Sequence, residues 1–261
     1  MLNLIKRNTP EIADIFTVEI IDKKDGMSYF QVENKNGRIC ITADTKVNLA
    51  KGYYTYLKKY CGVNLAHCGN TKIDVKEAPL PDEVLFQVIE QEKVAYFNYC
   101  TFGYSMRSWQ WEQWEKEIDF MAMNGINMPL TVVGYEAVMF YTLVDFGFTE
   151  SEALQFIAGP SYYPWQMMTN LDTFMHIPDK AFIDKRLELG KKIIQRELEL
   201  GMTPIQQGFA GHIPEKLNDK FREKYRNIDV LLIDDIQFHE ENTDEPAPVM
   251  ELSGTASDKL V

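Results

Sequence analysis

From about residue 92, apolar and polar positions alternate between the spacing of a β-strand and that of an α-helix. An apolar run at Val94–Tyr99 predicts a strand, and Thr101–Gly103 predicts the turn that follows it. Trp109–Met123 has apolar groups at helical spacing and is closed by Asn124–Gly125. Met128–Val133 predicts the next strand. This order favours a parallel sheet, in which chemistry collects at the carboxyl ends of the strands.

The alternation continues beyond this unit. It predicts a helix, a long loop, a second helix and a third strand: Tyr135–Phe146, Gly159–Pro178, Lys180–Leu200 and Thr203–Phe209. Thr149, with Glu152 three positions on, predicts a capping box at the start of a short helix. Three strand–helix units are too few for a closed eight-stranded barrel, which needs about 200 residues or more. The pattern therefore predicts an α/β fold built on a parallel sheet.

Residues 1–90 predict a separate small α/β domain. Tyr29–Val32 and Arg38–Ala43 have strand character, and Lys46–Cys61 has helical spacing with Gly62 as its glycine cap. Glu77–Asp82 is the strongest linker signal, because it holds two prolines in six residues. The predicted domains are thus 1–90, a second α/β domain at 91–220, and 221–261, where an apolar strand precedes an acidic tail that we expect to be irregular.

Composition narrows the class of protein. Hydrophobic residues make up 45% of the 261 residues, so a packed core is expected, and the net charge of −12 argues against nucleic-acid and anionic-membrane partners. The four cysteines form no C-x-x-C pair, and Cys61, His67 and Cys68 lack the spacing of a zinc site. We expect no metal and no cofactor. The N-terminus has no signal-peptide core, which predicts a cytoplasmic protein, or a secreted one if a leader has been removed.

Candidate binding residues follow the first predicted strand and fill the long loop. Asn98 and Cys100 would share one face of that strand, and Tyr104 would supply a flat wall for a sugar; the alternative is a polar strand end with a buried aromatic. The loop concentrates Trp165, Met168 and Asn170 with two tyrosines, a usual pocket lining, although it can also fold onto its own aromatics.

The other candidates are weaker. Trp111, Trp114 and Ile118 share a helix stripe that fits core packing better than a sugar platform. His212 suits a substrate contact and a framework role equally. Glu136 is at least as well placed to cap a helix as to catalyse. Asp234 and Asp235 are adjacent in a strand, so they point to opposite faces and cannot flank one glycosidic bond.

Several segments together resemble the α-N-acetylglucosaminidases, glycoside hydrolase family 89. They are GYYTYLKKYCGV (52–63), YFNYCTFGYS (96–105), WEKEIDFMAMNGIN (114–127), GYEAV (134–138), GPSYYPWQMMTNL (159–171), LGMTP (200–204) and FAGHIPE (209–215). The resemblance implies that residues 1–90 form a small N-terminal α/β domain and that residues 91–220 form a partial (β/α)₈ barrel, the first three units of the family's closed barrel. The activity that it implies is retaining hydrolysis of terminal α-linked N-acetylglucosamine. Carried over residue by residue, it implies an N-acetylglucosamine pocket that contains Asn98, Cys100, Tyr104, Trp165 and Met168, with Asn170 beside them.

The chain departs from the family in two respects. Asp172 and Phe174 stand where the family usually has histidine and tryptophan. The family's two catalytic glutamates lie on later strands and have no counterpart here, so the catalytic residues are unknown. FREKYRNIDVLLIDDIQF (221–238) instead resembles the Walker-B strand of the bacterial replication initiator DnaA, although the chain has no G-x-x-x-x-G-K-[ST] loop. The expectation is a truncated or chimeric hydrolase, inactive alone; the alternative is a non-catalytic carbohydrate-binding or structural fragment.

Overall fold

The computed structural model describes residues 1–67, 73–171, 177–208 and 212–217. Asp172, Phe174 and the strand predicted around Asp234 and Asp235 lie outside the described residues. Within the described ranges, no helix combines the length and the apolar content that crossing a membrane requires.

The N-terminal part is a four-stranded sheet with a long helix packed against it. Its elements are α1 (Leu2–Asn8), a 3₁₀ turn (Pro10–Ile15), β1 (Phe16–Ile20), β2 (Tyr29–Lys35), β3 (Arg38–Ala43), α2 (Lys46–Cys61) and β4 (Leu85–Val88). The strand order is β1-β3-β2-β4; β1 pairs with β3 in parallel, and the other pairs are antiparallel. One face of the sheet is therefore covered by α2, which contacts β1, β2 and β3.

Local signals set the limits of these elements. The Thr45 side chain caps α2 by accepting a hydrogen bond from Asn48 N, and Gly62 ends it in the left-handed conformation at φ 64°, as predicted. Between β2 and β3, Asn36 and Gly37 both have positive φ, 53° and 78°. An Asn-Gly pair with this geometry makes the tight turn of a two-residue hairpin.

The second part alternates helices with short parallel strands. Its elements are β5 (Ala95–Tyr96), α3 (Tyr99–Gly103), α4 (Trp111–Met123), β6 (Met128–Pro129), α5 (Tyr135–Asp145), α6 (Glu150–Phe156), α7 (Tyr163–Met167) and α8 (Lys180–Glu199). β5 pairs with β6 in parallel, and Leu130 forms a parallel bridge with Ile205. Three successive strand positions thus lie side by side in parallel, with helices between them. This is the opening of a partial barrel, and it confirms the predicted fold class.

The predicted strand Val94–Tyr99 is wrong beyond Tyr96. Phe97 turns the backbone to φ 76°, and Asn98 then caps α3, so the predicted turn at Thr101–Gly103 is helical. The helix predicted from Trp109 begins at Trp111, because the Gln113 side chain accepts from Gln110 N and closes the first turn. The third predicted strand contributes only the bridge at Ile205 within the described residues.

A continuous apolar core joins the two parts, because α2 packs on α4 and α4 packs on α8. Trp114 and Ile118 are fully buried in this core, so the prediction that their stripe serves packing is confirmed. Trp111 is half-buried beneath the Arg196 guanidinium, which lies 5.2 Å from its ring. The boundary near residue 90 stays a prediction, since the core crosses it.

Candidate functional site

The first part of the site is the short helix α3, which follows β5. Asn98 is exposed and caps α3, with its Oδ1 accepting from Thr101 N at 3.2 Å. Cys100 is half-buried in the helix itself. The expectation that Asn98 and Cys100 share a strand face is therefore wrong, because neither residue is in a strand. The cap leaves the Asn98 amide nitrogen at the surface, where it can donate to a ligand.

The second part is the connector, which we define as residues 159–171. It contains the single-turn helix α7, whose Tyr163, Gln166 and Met167 are buried. Trp165 and Met168 are half-buried, and Asn170 is exposed. The connector therefore has one buried and one accessible side. Trp165, Met168 and Asn170 lie on the accessible side together with Tyr162, which is also exposed.

Tyr104 and Trp165 bring the two parts together. Their ring centroids lie 5.2 Å apart with an interplanar angle of 89°, an edge-to-face contact. Tyr104 is 71% exposed, so most of its ring remains open to solvent. An exposed aromatic pair of this kind, drawn from distant segments, is not a product of core packing. The two rings, set nearly at right angles, form an apolar corner that is open to solvent on the Tyr104 side.

Gly103 allows this close approach. A Cβ atom at residue 103 would lie 2.5 Å from Cζ3 of Trp165 and 2.8 Å from the Ser161 carbonyl oxygen. Both distances are far inside van der Waals contact, so any larger residue would displace the connector. No local sequence pattern indicates a role for Gly103, because the role comes only from the tertiary contact between α3 and α7.

Backbone strain marks both parts of the site. Phe97 has φ 76° and Thr169 has φ 60°, although neither is glycine. A β-branched residue such as Thr169 is a genuine outlier in this region. Strain of this kind collects at ligand sites, where the surrounding fold enforces it. Phe97 and Thr169 directly precede the two candidate amides, Asn98 and Asn170.

A buried polar network holds the connector from behind. Arg186 of α8 donates from Nε to Glu136 Oε1 at 2.9 Å and from Nη2 to the Tyr163 hydroxyl at 3.0 Å. Glu136 Oε2 also accepts from Gly134 N at 3.0 Å. Burial lowers the pKa of the Arg186 guanidinium, but the neighbouring Glu136 and Tyr163 outweigh that effect and leave the pKa raised, so Arg186 stays charged. Burial raises the pKa of the Tyr163 phenol, which therefore stays neutral.

This network decides the role of Glu136. Its two carboxylate oxygens are bound to Arg186 and to the backbone at the start of α5, and its side chain is buried. Glu136 therefore serves the framework, as the capping alternative predicted. His212 packs edge-on against Phe156 at 5.4 Å, and residues 209–211 before it lie outside the described ranges.

Comparison with family profiles matches nearly the whole described chain. The profile of the alpha-N-acetylglucosaminidase N-terminal domain matches residues 1–82, and that of the tim-barrel domain matches residues 95–239. The human alpha-N-acetylglucosaminidase is 33% identical over 184 residues, which cover 70% of this chain and 25% of the human protein. A second, short match of 52 residues is 48% identical to the chromosomal replication initiator protein DnaA of Campylobacter jejuni and covers 20% of this chain.

Solved structures give the same relationship. A family 89 glycoside hydrolase from Clostridium perfringens, in complex with PUGNAc, has a TM-score of 0.79 and 33% identity, and the match covers 85% of this chain and 26% of that one. A variant of that enzyme with two glutamates changed to glutamine, in complex with its substrate GlcNAc-alpha-1,4-galactose, has a TM-score of 0.78 and 34% identity. The present chain spans about a quarter of the length of these relatives.

Proposed function

The chain belongs to the alpha-N-acetylglucosaminidase family, and from that premise we propose that α3 and the connector form one wall of a pocket for a terminal α-linked N-acetylglucosamine. The observation that carries the proposal is the edge-to-face contact of Tyr104 and Trp165. The relative from Clostridium perfringens is named as a complex with GlcNAc-alpha-1,4-galactose, which supports a glycan of this class.

The chemistry of the wall suits this sugar. The open Tyr104 ring packs against the C–H face of a pyranose, and the half-buried Trp165 ring, set at 89° to it, borders the edge of the sugar. Met168 and Cys100 supply soft apolar contacts for the acetamido methyl group. Asn98 and Asn170 are exposed amides, and each can donate to and accept from hydroxyl or acetamido groups.

The reaction proposed for the family as a whole is retaining hydrolysis. One carboxylate attacks the anomeric carbon while a carboxylic acid protonates the leaving oxygen, and the second group then activates water to release the sugar. The two carboxyl groups stand about 5–5.5 Å apart in such sites. Glu136 cannot be one of them, since both of its oxygens are bound inside the framework. We therefore propose that this chain binds N-acetylglucosamine without turnover.

A titration with N-acetylglucosamine tests the proposal. We expect saturable binding to the 261-residue chain that weakens at least about fivefold in Trp165→Ala and in Tyr104→Ala, because each change removes an aromatic contact. Tyr141→Phe is the control, because the Tyr141 hydroxyl bonds to Asp184 of α8. This variant should keep its affinity for the sugar. Binding that is unchanged by both pocket variants would refute the pocket.

The second candidate function is a non-catalytic structural fragment with no sugar affinity. It is favoured by the openness of the wall, because Tyr104 is 71% exposed and so has few neighbours among the described residues that could enclose a sugar. Absence of N-acetylglucosamine binding to the folded chain would select it. Incubation with 4-nitrophenyl α-N-acetylglucosaminide tests turnover separately, and release of the chromophore above the level of the heat-denatured chain would contradict our proposal.

A further inference from the structure

Arg186 of helix α8 joins two segments that are distant in sequence. Its side chain is only 6% exposed, and its guanidinium donates to Glu136 at the start of α5 and to Tyr163 at the start of α7. The guanidinium carbon also lies 5.5 Å from the centre of the Tyr163 ring. The planar fork of arginine presents donors in fixed directions, so it can hold both partners at once.

The tyrosine partner belongs to the connector. Tyr163 precedes Trp165 by two residues in a helix of five residues, too short to be stable without tertiary contacts. The placement of Trp165 must therefore come from the buried contacts of its neighbours. Gln166 supplies one of them, by accepting from Ala158 N at 2.8 Å, and Tyr163 supplies another through Arg186.

Helix α8, which carries Arg186, is packed tightly against its neighbours. A Cβ atom at residue 190, one turn after Arg186 on α8, would lie 2.2 Å from the Val133 carbonyl oxygen. Helix α8 is thus pressed against the loop that leads into α5, and Glu136 fixes the guanidinium from that side. Arg186 therefore links the buried Tyr163 hydroxyl to a firmly packed helix.

We propose that Arg186 is a positioning residue for the sugar pocket, which fixes Trp165 against Gly103 and Tyr104 by holding the hydroxyl of Tyr163. The predicted effect of Arg186 on sugar binding rests on the proposed function. Its predicted effect on the position of the connector does not. We assign Arg186 no contact with the sugar. It acts only through Tyr163.

Tyr163→Phe tests the proposal, because it removes the hydroxyl and keeps the buried ring. We expect amide hydrogen exchange in residues 163–168 to become about tenfold faster, as befits the loss of a hydrogen bond to a charged group. The dissociation constant for N-acetylglucosamine should rise about fivefold or more at a temperature where the variant is fully folded. The near-ultraviolet circular dichroism attributable to Trp165, obtained by subtracting the spectrum of Trp165→Phe, should weaken.

The matched control is Tyr141→Phe. Tyr141 also donates its hydroxyl to α8, to Asp184 Oδ1 at 2.7 Å, but it lies on α5, and within the described ranges its hydroxyl bonds to α8 and not to the connector. The control should leave connector exchange, the Trp165 signal and sugar affinity unchanged. Equal behaviour of the two variants would overturn the proposal, since it would mean that the Tyr163 hydroxyl has no special role.

Arg186→Lys completes the test through a double-mutant cycle. Lysine retains the charge near Glu136 but cannot hold both partners in the fork geometry. The effects of Arg186→Lys and Tyr163→Phe on connector exchange should therefore be strongly non-additive, and full additivity would overturn the link. If the native chain binds no N-acetylglucosamine, the proposed function fails, whereas the exchange and circular dichroism measurements still decide the positioning role.

Discussion

Arg7 of α1 and Asp119 of α4 are joined by two hydrogen bonds, Nε to Oδ2 at 3.0 Å and Nη2 to Oδ1 at 2.6 Å. Asn8 adds a third, from Nδ2 to Oδ2 at 2.9 Å. Paired bonds between arginine and a carboxylate are stronger than single neutral ones. This contact ties the N-terminal part to the first barrel helix, and the buried carboxylate of Asp119 depends on it.

The first prediction concerns this tie. Arg7→Met should lower the free energy of unfolding by about 2 kcal/mol, because it leaves a buried carboxylate without its charged partner. Lys23→Met is the control: Lys23 and Glu92 form an exposed pair, whose loss should change stability by less than about 1 kcal/mol. Urea denaturation measures both. Equal losses in the two variants would contradict the special role of the buried tie.

The second prediction concerns Glu197, which is buried in α8 beside Thr131. Burial raises the pKa of its carboxyl to about 8, although the Thr131 hydroxyl, 2.8 Å away, opposes the shift. In the unfolded chain, the pKa of a glutamate carboxyl is about 4.3. Between pH 4.3 and 8 the folded protein holds a proton that the unfolded chain has lost, so this group's contribution to stability falls as pH rises through that window.

Glu197→Gln removes this dependence, because the amide resembles the protonated acid. The stability of the variant relative to the native chain should therefore increase by roughly 4 kcal/mol between pH 5 and pH 9. Thermal or urea unfolding at the two pH values gives the difference, and the other titrating groups cancel between the proteins. A difference that does not change with pH would show that Glu197 titrates normally.

The third prediction concerns Gly103. Gly103→Ala should weaken N-acetylglucosamine binding at least about fivefold, because the added methyl group overlaps the Trp165 ring and the Ser161 carbonyl. Gly208→Ala is the matched control, since a Cβ at residue 208 would meet no atom of the described residues within 4 Å. Calorimetric titration compares the two. Equal affinities would mean that the connector can retreat without consequence for the pocket.

The fourth prediction separates two tryptophans. Trp114 is 1% exposed in the core, so Trp114→Ala should lower the free energy of unfolding by about 3–5 kcal/mol. Trp165→Ala, at a half-buried surface position, should change stability far less and weaken sugar binding instead. Denaturation and titration on both variants test the contrast. The reverse pattern would assign Trp165 to the core and remove it from the site.

Features with local causes could be predicted from the sequence. The glycine cap at Gly62 and the Thr149–Glu152 capping box both appear as predicted, since each depends on residues within one helical turn. The parallel alternation of strands and helices also follows from the hydrophobic spacing. The meeting of Tyr104 and Trp165 was expected only through the family resemblance, because nothing in the local pattern relates residues so far apart.

Features with long-range causes could not be predicted. Arg186 contacts Tyr163 and Glu136 across 23 and 50 positions, and no local pattern marks such partners. The strand prediction failed at Phe97 because its apolar side chain fits a strand while its backbone is held at φ 76°. Gly103 has no turn to make, and its role appears only when Trp165 lies against it.

The sugar-binding role of Tyr104 and Trp165 is tested most directly by the indole N–H spectrum of the chain during titration with N-acetylglucosamine. The four tryptophans give four indole signals, which single tryptophan-to-phenylalanine variants assign. If Trp165 contacts the sugar, we expect a saturable shift of the Trp165 signal, while the signal of the buried Trp114 stays in place. A Trp165 signal that does not move at saturating sugar, or that moves equally with an unrelated polyol, would contradict a sugar-binding wall built from Tyr104 and Trp165.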